Sequence, residues 1–220
     1  MSQVDVIAID GPVASGKGSV SSGVAKVLGF HVLDSGALYR LTALACMNQG
    51  MDLGDAAAAE KVARLLKPLF KDGKIYLEGT DVTDAIRTEE VGLNASKIAA
   101  YPGVRKALFE LQRRSAVEPG LVADGRDMGS VVFPEARLKI FLTASAESRA
   151  KRRYNQLKEK GISSNIDDLV SDLKDRDRRD MERSVAPLKP AEGARILDSS
   201  DLTLQETIDQ VLAWYRESKA

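Results

Sequence analysis

The chain has one cysteine, one histidine and one tryptophan among its 220 residues. A single thiol, Cys46, cannot form an internal disulfide, and a reducing compartment is the simpler setting. Cys46 lies in the apolar run Leu44-Ala45-Cys46-Met47 and reads as a core residue. The lone histidine, His31, lies in a short strand-like run and reads as structural, which leaves no His–carboxylate couple for acid–base work. An excess of either charge is also missing. Lys and Arg number 32, as do Asp and Glu, and this balance excludes a surface built mainly to coat nucleic acid. No apolar run reaches the ~18 residues of a membrane-spanning helix. Residues 1–5 carry no basic segment leading into an apolar one, as a secretory signal would. The expectation is a cytoplasmic protein, monomeric, with neither membrane nor nucleic acid as partner. Apolar residues at 44% and charged residues at 29% are ordinary for one globular domain with a well-buried core.

What is present alternates between two kinds of segment. The runs Val4–Asp10, His31–Leu33, Gly120–Asp124, Leu138–Leu142 and Arg195–Asp198 are short and apolar, and read as core strands. Helical spacing follows the first two: Ser19–Leu28 with Val20, Val24, Val27 and Leu28 on one face, then Ala37–Asn48 stopped at Gly50, and Ala56–Leu66. Glu89–Ala100 and Gly103–Val117 read as helices separated by Pro102. Further helices are read at Ala146–Lys160, Ile166–Arg183 and Leu204–Arg216, the last with Ile208, Val211, Leu212 and Tyr215 on its apolar face. Near residues 67–86 the pattern changes. Lys71-Asp72-Gly73-Lys74 carries the Asp-Gly hairpin signal between two apolar runs, and a third short segment, Asp81–Thr83, follows. The fold class this predicts is α/β, a doubly wound parallel sheet of about five strands, with a small antiparallel insertion.

Between the first strand and its helix lies Gly11-Pro12-Val13-Ala14-Ser15-Gly16-Lys17-Gly18-Ser19, nearly the G-x-x-x-x-G-K-[ST] phosphate loop. Glycines let backbone N–H groups turn inward on a polyphosphate, and the helix N-terminus adds its positive end. Lys17 would meet the β- and γ-phosphates as a point charge. Gly18 stands where many such loops place Ser or Thr, and the hydroxyl comes one residue later, at Ser19. Kinases of small alcohols such as shikimate usually follow the lysine directly with Ser or Thr, so Gly18 argues against that reading. A nucleotide-operated switch would need an N-K-x-D base-recognition motif, which the sequence does not contain.

The next motifs are Asp34-Ser35-Gly36-Ala37-Leu38-Tyr39-Arg40, Ala123-Asp124-Gly125-Arg126-Asp127-Met128-Gly129, the spaced trio Arg176, Asp180 and Arg183, and Val185-Ala186-Pro187-Leu188. With the phosphate loop, these closely resemble the bacterial cytidylate kinase family, nucleoside-monophosphate kinases with a P-loop, over essentially the whole chain. The resemblance implies transfer of the γ-phosphoryl group of ATP to CMP or dCMP. It implies a core of residues 1–34, 118–150 and 184–220, a monophosphate-binding insertion at 35–117 and a lid region at 151–183. It implies that Arg40, Arg126 and Arg183 grip the acceptor phosphate, with Ser35 nearby, Tyr39 and Asp180 at the ribose, and Arg176 near the transferring phosphate or ribose. Ser96, Arg105 and Asp127 would surround the base.

Some of this follows from chemistry. A monophosphate acceptor is already an anion, so transfer asks for positioning and charge neutralisation rather than a general base. A carboxylate at the base edge accepts from the cytosine amino group and faces the O4 oxygen of uracil unfavourably, so of the three residues that the resemblance places around the base, Asp127 is the candidate reader. Magnesium is implied by the reaction, with Ser19 as the hydroxyl near it and Asp34 or Asp124 reaching it through water. Arg149, Arg152, Arg153, Arg178 and Arg179 are either lid residues that reach ATP or ordinary surface charges. Residues 146–183 hold eleven Lys and Arg against nine Asp and Glu, a mixed-charge segment rather than a basic patch for RNA.

Overall fold

The computed structural model describes residues 4–71, 73–159 and 161–219. Asp72 of the hairpin signal and Lys160 at the expected end of its helix lie outside the described residues. The chain divides into two compact units, one of residues 1–33 and 115–220 and the other of residues 34–114.

In the first unit the strands are β1 (Val6–Asp10), β2 (His31–Asp34), and then, after the second unit, the later strands of the same sheet. Because the second unit contributes β3 (Pro68–Lys71), β4 (Lys74–Leu77) and β5 (Thr80–Asp81), the sheet continues as β6 (Leu121–Gly125), β7 (Leu138–Thr143) and β8 (Arg195–Asp198). Its order is β2-β6-β1-β7-β8. β1 pairs in parallel with β6 on one side and β7 on the other, and β7 with β8. All five residues of β1 and of β6 are buried, as strands covered on both faces require. The core joins Ile7, Ile9, Val122, Ile140 and Leu142 to Val20 and Val24 of α1 (Lys17–Leu28). Ile208, Val211, Leu212 and Tyr215 complete it from the last helix, Leu204–Glu217, whose start is fixed by a capping box between Thr203 and Glu206. The predicted apolar face of that helix is buried as expected.

The second unit holds α2 (Ser35–Asn48), α3 (Ala56–Leu65), the antiparallel sheet β3-β4-β5, a short 3₁₀ turn at Ala85–Arg87, α4 (Glu89–Ile98) and α5 (Pro102–Arg113). The helix starts are chemical. Asp34 accepts from Ala37 N–H, Asp55 from Ala57 and Ala58 N–H, and Thr88 from Val91 N–H. The first unit closes with α6 (Ala146–Glu159), α7 (Ile166–Glu182) and α8 (Leu204–Glu217).

Four details depart from the sequence reading. Val27 is 58% exposed, because the buried stripe of α1 centres on Ser21, Val24 and Ala25 and Val27 lies at its margin in the last turn. α5 begins on Pro102 instead of after it; proline's fixed φ suits the first helical position, where its missing N–H is not needed. The same helix stops at Arg113 rather than Val117, where Val117 N–H turns back to Ser115 C=O. Arg183 is not on the helix with Arg176 and Asp180; it is the extended residue that ends α7. One element had no sequence signal, a π-turn at Met128–Val132 after β6. Among the described residues no helix is long and apolar enough to cross a membrane, and Cys46 is buried.

Candidate active site

The loop between β1 and α1 is held close to the sheet. A Cβ placed on Gly11 would lie 2.0 Å from the carbonyl oxygen of Leu142, so only glycine fits. Gly16 has φ 92° and serves as the N-cap of α1, a left-handed position that favours glycine. Ala14 is left-handed as well, at φ 59° despite its Cβ. Ser15 is buried. Gly18 and Ser19 are exposed at the helix start.

Lys17 is not an exposed side chain, as a point charge at a loop would suggest; it is only 7% accessible. Its ammonium donates to the Pro12 carbonyl at 2.8 Å. Burial pushes its pKa down to about 7, and the charge of Arg126 adds to this, while Asp124, Asp10 and Asp180 oppose the shift. Lys17 therefore sits within electrostatic reach of the ends of β1 and β6 and of α7. Asp124 is buried, with Oδ2 3.8 Å from where a Cβ on Gly18 would stand.

After β6 the chain turns sharply, and Asp10 organises that turn. Its two carboxylate oxygens accept from Met128 N–H and Gly129 N–H, each at 2.8 Å. Burial raises Asp10 to about 6, with the charge of Asp127 adding to the rise and the two N–H groups opposing it. The turn carries Arg126 and the buried Asp127. Arg126 donates from Nε to Asp180 Oδ2 at 2.8 Å and from Nη1 to Gly125 C=O at 3.3 Å. Burial works to raise Asp180, but Arg126, Arg183 and Arg176 outweigh it and hold the carboxylate below its usual range. Of the arginines singled out from sequence, Arg126 is thus bonded to this buried carboxylate, and Arg183 and Arg176 act on it through their charge. Arg183 also donates to Ala186 C=O, and Asp180 C=O accepts from Leu188 N–H, which fixes the Val185–Leu188 segment beside them.

In the second unit, Arg40 donates to Ile86 C=O at 2.7 Å and Thr88 C=O at 3.2 Å. Arg105 lies over the Tyr39 ring, 5.9 Å from its centroid, and donates to Ala99 C=O. Ser35 Oγ donates to Gln112 Oε1 at 2.9 Å, both side chains buried. Ser96 is half-buried on α4. Asp34 Oδ1 caps α2. His31 is exposed on β2, with Nε2 3.0 Å from Glu118 C=O.

Four of the five arginines left open by sequence divide into two kinds. Arg149 is buried and paired with Asp177, and Arg152 is bonded to Ser15 C=O. Arg178 and Arg179 are exposed and bonded within α7 to Asp175. Sequence reasoning missed Asp10, Gln112 and Asp177. Asp10 had a signal, as a strand-ending carboxylate next to the glycine loop; Gln112 and Asp177 had none, because their partners lie 77 and 28 residues away.

A parallel sheet with a glycine loop, a buried lysine and a helix N-terminus at the end of its central strand defines a P-loop phosphotransferase. A family model described as cytidylate kinase matches residues 7–217. The cytidylate kinase of Bordetella bronchiseptica is 59% identical over 211 residues, 96% of this chain and 95% of that one. The cytidylate kinase of Cupriavidus necator is 56% identical over 215 residues, 98% and 97% of the two chains. A solved structure of an uncharacterized protein from Eubacterium ventriosum covers 98% of this chain and 99% of its own at a TM-score of 0.54 and 12% identity, a likeness of fold alone. The chain belongs to the cytidylate kinase family.

Proposed function

We propose that the protein transfers the γ-phosphoryl group of ATP to CMP or dCMP, giving ADP and CDP or dCDP. The observation that carries this reading is the Arg126–Asp180 pair, on which the charges of Arg183 and Arg176 also act, with Lys17 close enough to feel both Arg126 and Asp180. Several cations around one carboxylate form a site prepared for anions. The transferring phosphoryl group needs its charge spread and its partners aligned more than it needs a proton moved.

In this reading residues 11–19 hold the ATP phosphates and Lys17 neutralises charge at the β- and γ-positions. Arg126, Arg183 and Arg40 bind the acceptor phosphate, and Arg176 stabilises the group in flight. Ser35 lies near the acceptor phosphate, and Tyr39 and Asp180 address the ribose. Ser96, Arg105 and Asp127 address the base, with the buried Asp127 carboxylate accepting from the cytosine amino group. The acceptor phosphate oxygen attacks directly, so the absence of a His–carboxylate couple among the site residues costs nothing. Residues 151–183 act as the lid, which limits competing attack by water.

Magnesium enters with ATP. Such ions keep most of their water and take one or two protein oxygens. The exposed Ser19 hydroxyl and the buried Asp124 carboxylate beside Gly18 fit that requirement, Ser19 directly and Asp124 through water. Asp34 is the weaker candidate, since one of its oxygens caps α2. When bound, the ion supplies charge neutralisation to the phosphates. We read the protein as a cytoplasmic monomer with no nucleic-acid partner. Its balanced charge and single buried thiol support that setting.

The test is a coupled assay of ADP release with CMP, dCMP, UMP, AMP, GMP and shikimate as separate acceptors. Rapid turnover with CMP or dCMP alone is expected. Equal turnover without any acceptor, or a preference for AMP or shikimate, would overturn the assignment.

A further inference from the structure

The phosphate loop is gripped from outside by a side chain that the reaction itself does not need. Arg149, on α6, is 4% exposed. Its Nε donates to Ala144 C=O at 3.0 Å. Its Nη1 donates to Val13 C=O at 3.0 Å and to Asp177 Oδ1 at 3.1 Å, and its Nη2 to Asp177 Oδ2 at 2.5 Å. Four of the five guanidinium N–H donors are thereby committed. Such a residue is neither a solvated surface charge nor an arm that can swing onto ATP. Its carboxylate partner is on α7, the helix that also carries Arg176 and Asp180.

We propose that Arg149, locked by Asp177, is a positioning residue that presets the direction of the phosphate-loop amides before nucleotide binds. In a trans peptide the C=O and N–H point to opposite sides. Holding the Val13 carbonyl toward α6 therefore turns the Ala14 N–H the other way, toward the hollow of the loop. Arg152 does the same two peptides further on: its Nη1 donates to Ser15 C=O at 3.2 Å, which turns Gly16 N–H inward. A second observation points the same way. Ala14 holds a left-handed φ of 59°, unfavourable for a residue with a Cβ, so its conformation has to be imposed by neighbours. The Arg149 contact is on the carbonyl immediately before it. An anion cradle whose donors are already aimed loses little ordering on binding.

The proposal rests on the reading that residues 11–19 bind nucleotide phosphates. The test is calorimetric titration of ADP, and separately of CMP, into the wild-type protein, Arg149→Lys and the double variant Arg149→Met/Asp177→Leu, with thermal melting of each. Lysine keeps the charge opposite Asp177 but lacks the planar fork that reaches two carbonyls and a carboxylate together. The expected result for a folded Arg149→Lys is a loss of ADP affinity of about tenfold or more, with CMP affinity unchanged. In the double variant, replacing a buried pair by apolar groups restores melting temperature, but ADP affinity stays low because Val13 C=O has lost its donor. Wild-type ADP affinity in Arg149→Lys, a parallel loss for ADP and CMP, or recovery of both stability and ADP binding in the double variant overturns the positioning role and leaves the phosphate-loop reading intact. Failure of the wild-type protein to bind ADP takes both down. Should the double variant not fold, the Arg149→Lys titrations decide alone.

Discussion

Arg126 and Asp180 are 54 residues apart in sequence and 2.8 Å apart in space, an Nε–H donating to a carboxylate oxygen. The side chains are 23% and 8% accessible, so the pair sits near the middle of the molecule's charge economy rather than on its surface. It joins the turn after β6 to the last part of α7.

Replacing Arg126 with Ala is expected to reduce turnover with CMP by about 10²–10³, the usual effect of deleting one preorganised charge at a phosphoryl or oxyanion site. ATP binding is expected to persist, because Lys17 and the loop are untouched. Steady-state kinetics with CMP, beside titration of ATP, checks both halves. Unchanged turnover would remove Arg126 from the reaction.

Nucleotide binding is expected to be proton-linked through Lys17. Its folded pKa of about 7 lies below the ordinary 10.5 because of burial. Polyphosphate beside the ammonium favours the charged form. At pH 8, ADP binding should therefore take up protons, and affinity should weaken as pH rises above 7. Titrations in two buffers of different ionisation enthalpy measure the uptake directly. The sign for stability is opposite to that of a paired lysine. Between pH 7 and 10.5 the unfolded chain holds more protons at this site, so its contribution to stability rises with pH. Lys17→Met should flatten that rise in pH-dependent melting, and abolish most turnover.

Gly92 leaves room for Arg40. A Cβ there would lie 2.8 Å from Arg40 Nη2 and 3.1 Å from Nη1. Alanine at this helical position would favour α4 by about 1 kcal/mol, while forcing the guanidinium aside. Gly92→Ala is expected to melt no lower than wild type and to raise KM for CMP, with KM for ATP unchanged. An unaltered KM for CMP would place Arg40 outside the acceptor site.

Asp127→Asn is expected to shrink the CMP:UMP ratio of kcat/KM, mostly through loss on CMP. Discrimination built on a matched buried polar pair reaches ~10⁴-fold in favourable cases, and an amide matches either base edge. A constant ratio would assign Asp127 to shaping the turn with Asp10 instead of reading the base.

How far the sequence could be read depends on the range of the forces involved. β1 and β6 were legible because strands buried on both faces are apolar up to the carboxylates near their ends, β7 by its run Ile140-Phe141-Leu142, and the Gly11–Ser19 spacing was legible because backbone geometry at a phosphate demands it. The Asp-Gly signal located the hairpin between β3 and β4 for the same local reason. The burial of Lys17 was not legible, since it depends on what β6 and α7 bring over the loop. Nor was the π-turn at Met128–Val132, which exists because Asp10, more than a hundred residues earlier, accepts from two of its amides. Arg183 was placed on the helix though it is the first residue past its end, because nothing in Arg176–Arg183 marks the residue at which α7 gives way to extended chain. Candidate site residues could be named from motifs, but Asp177, which only packing brings to Arg149, could not.

The close fit of Gly11 against the Leu142 carbonyl has a consequence for hydrogen exchange. β1 lies between β6 and β7 with every residue buried, so its amides should become exposed to solvent only when the whole unit opens. Nucleotide added to the protein should slow exchange at Ile7, Ala8 and Ile9 by the full ligand-binding free energy. The strands β3 and β5, mostly exposed, should exchange through local openings that do not register the ligand at all. The loop that would handle the most mobile group in the reaction is thus anchored to a strand expected to exchange only on global opening.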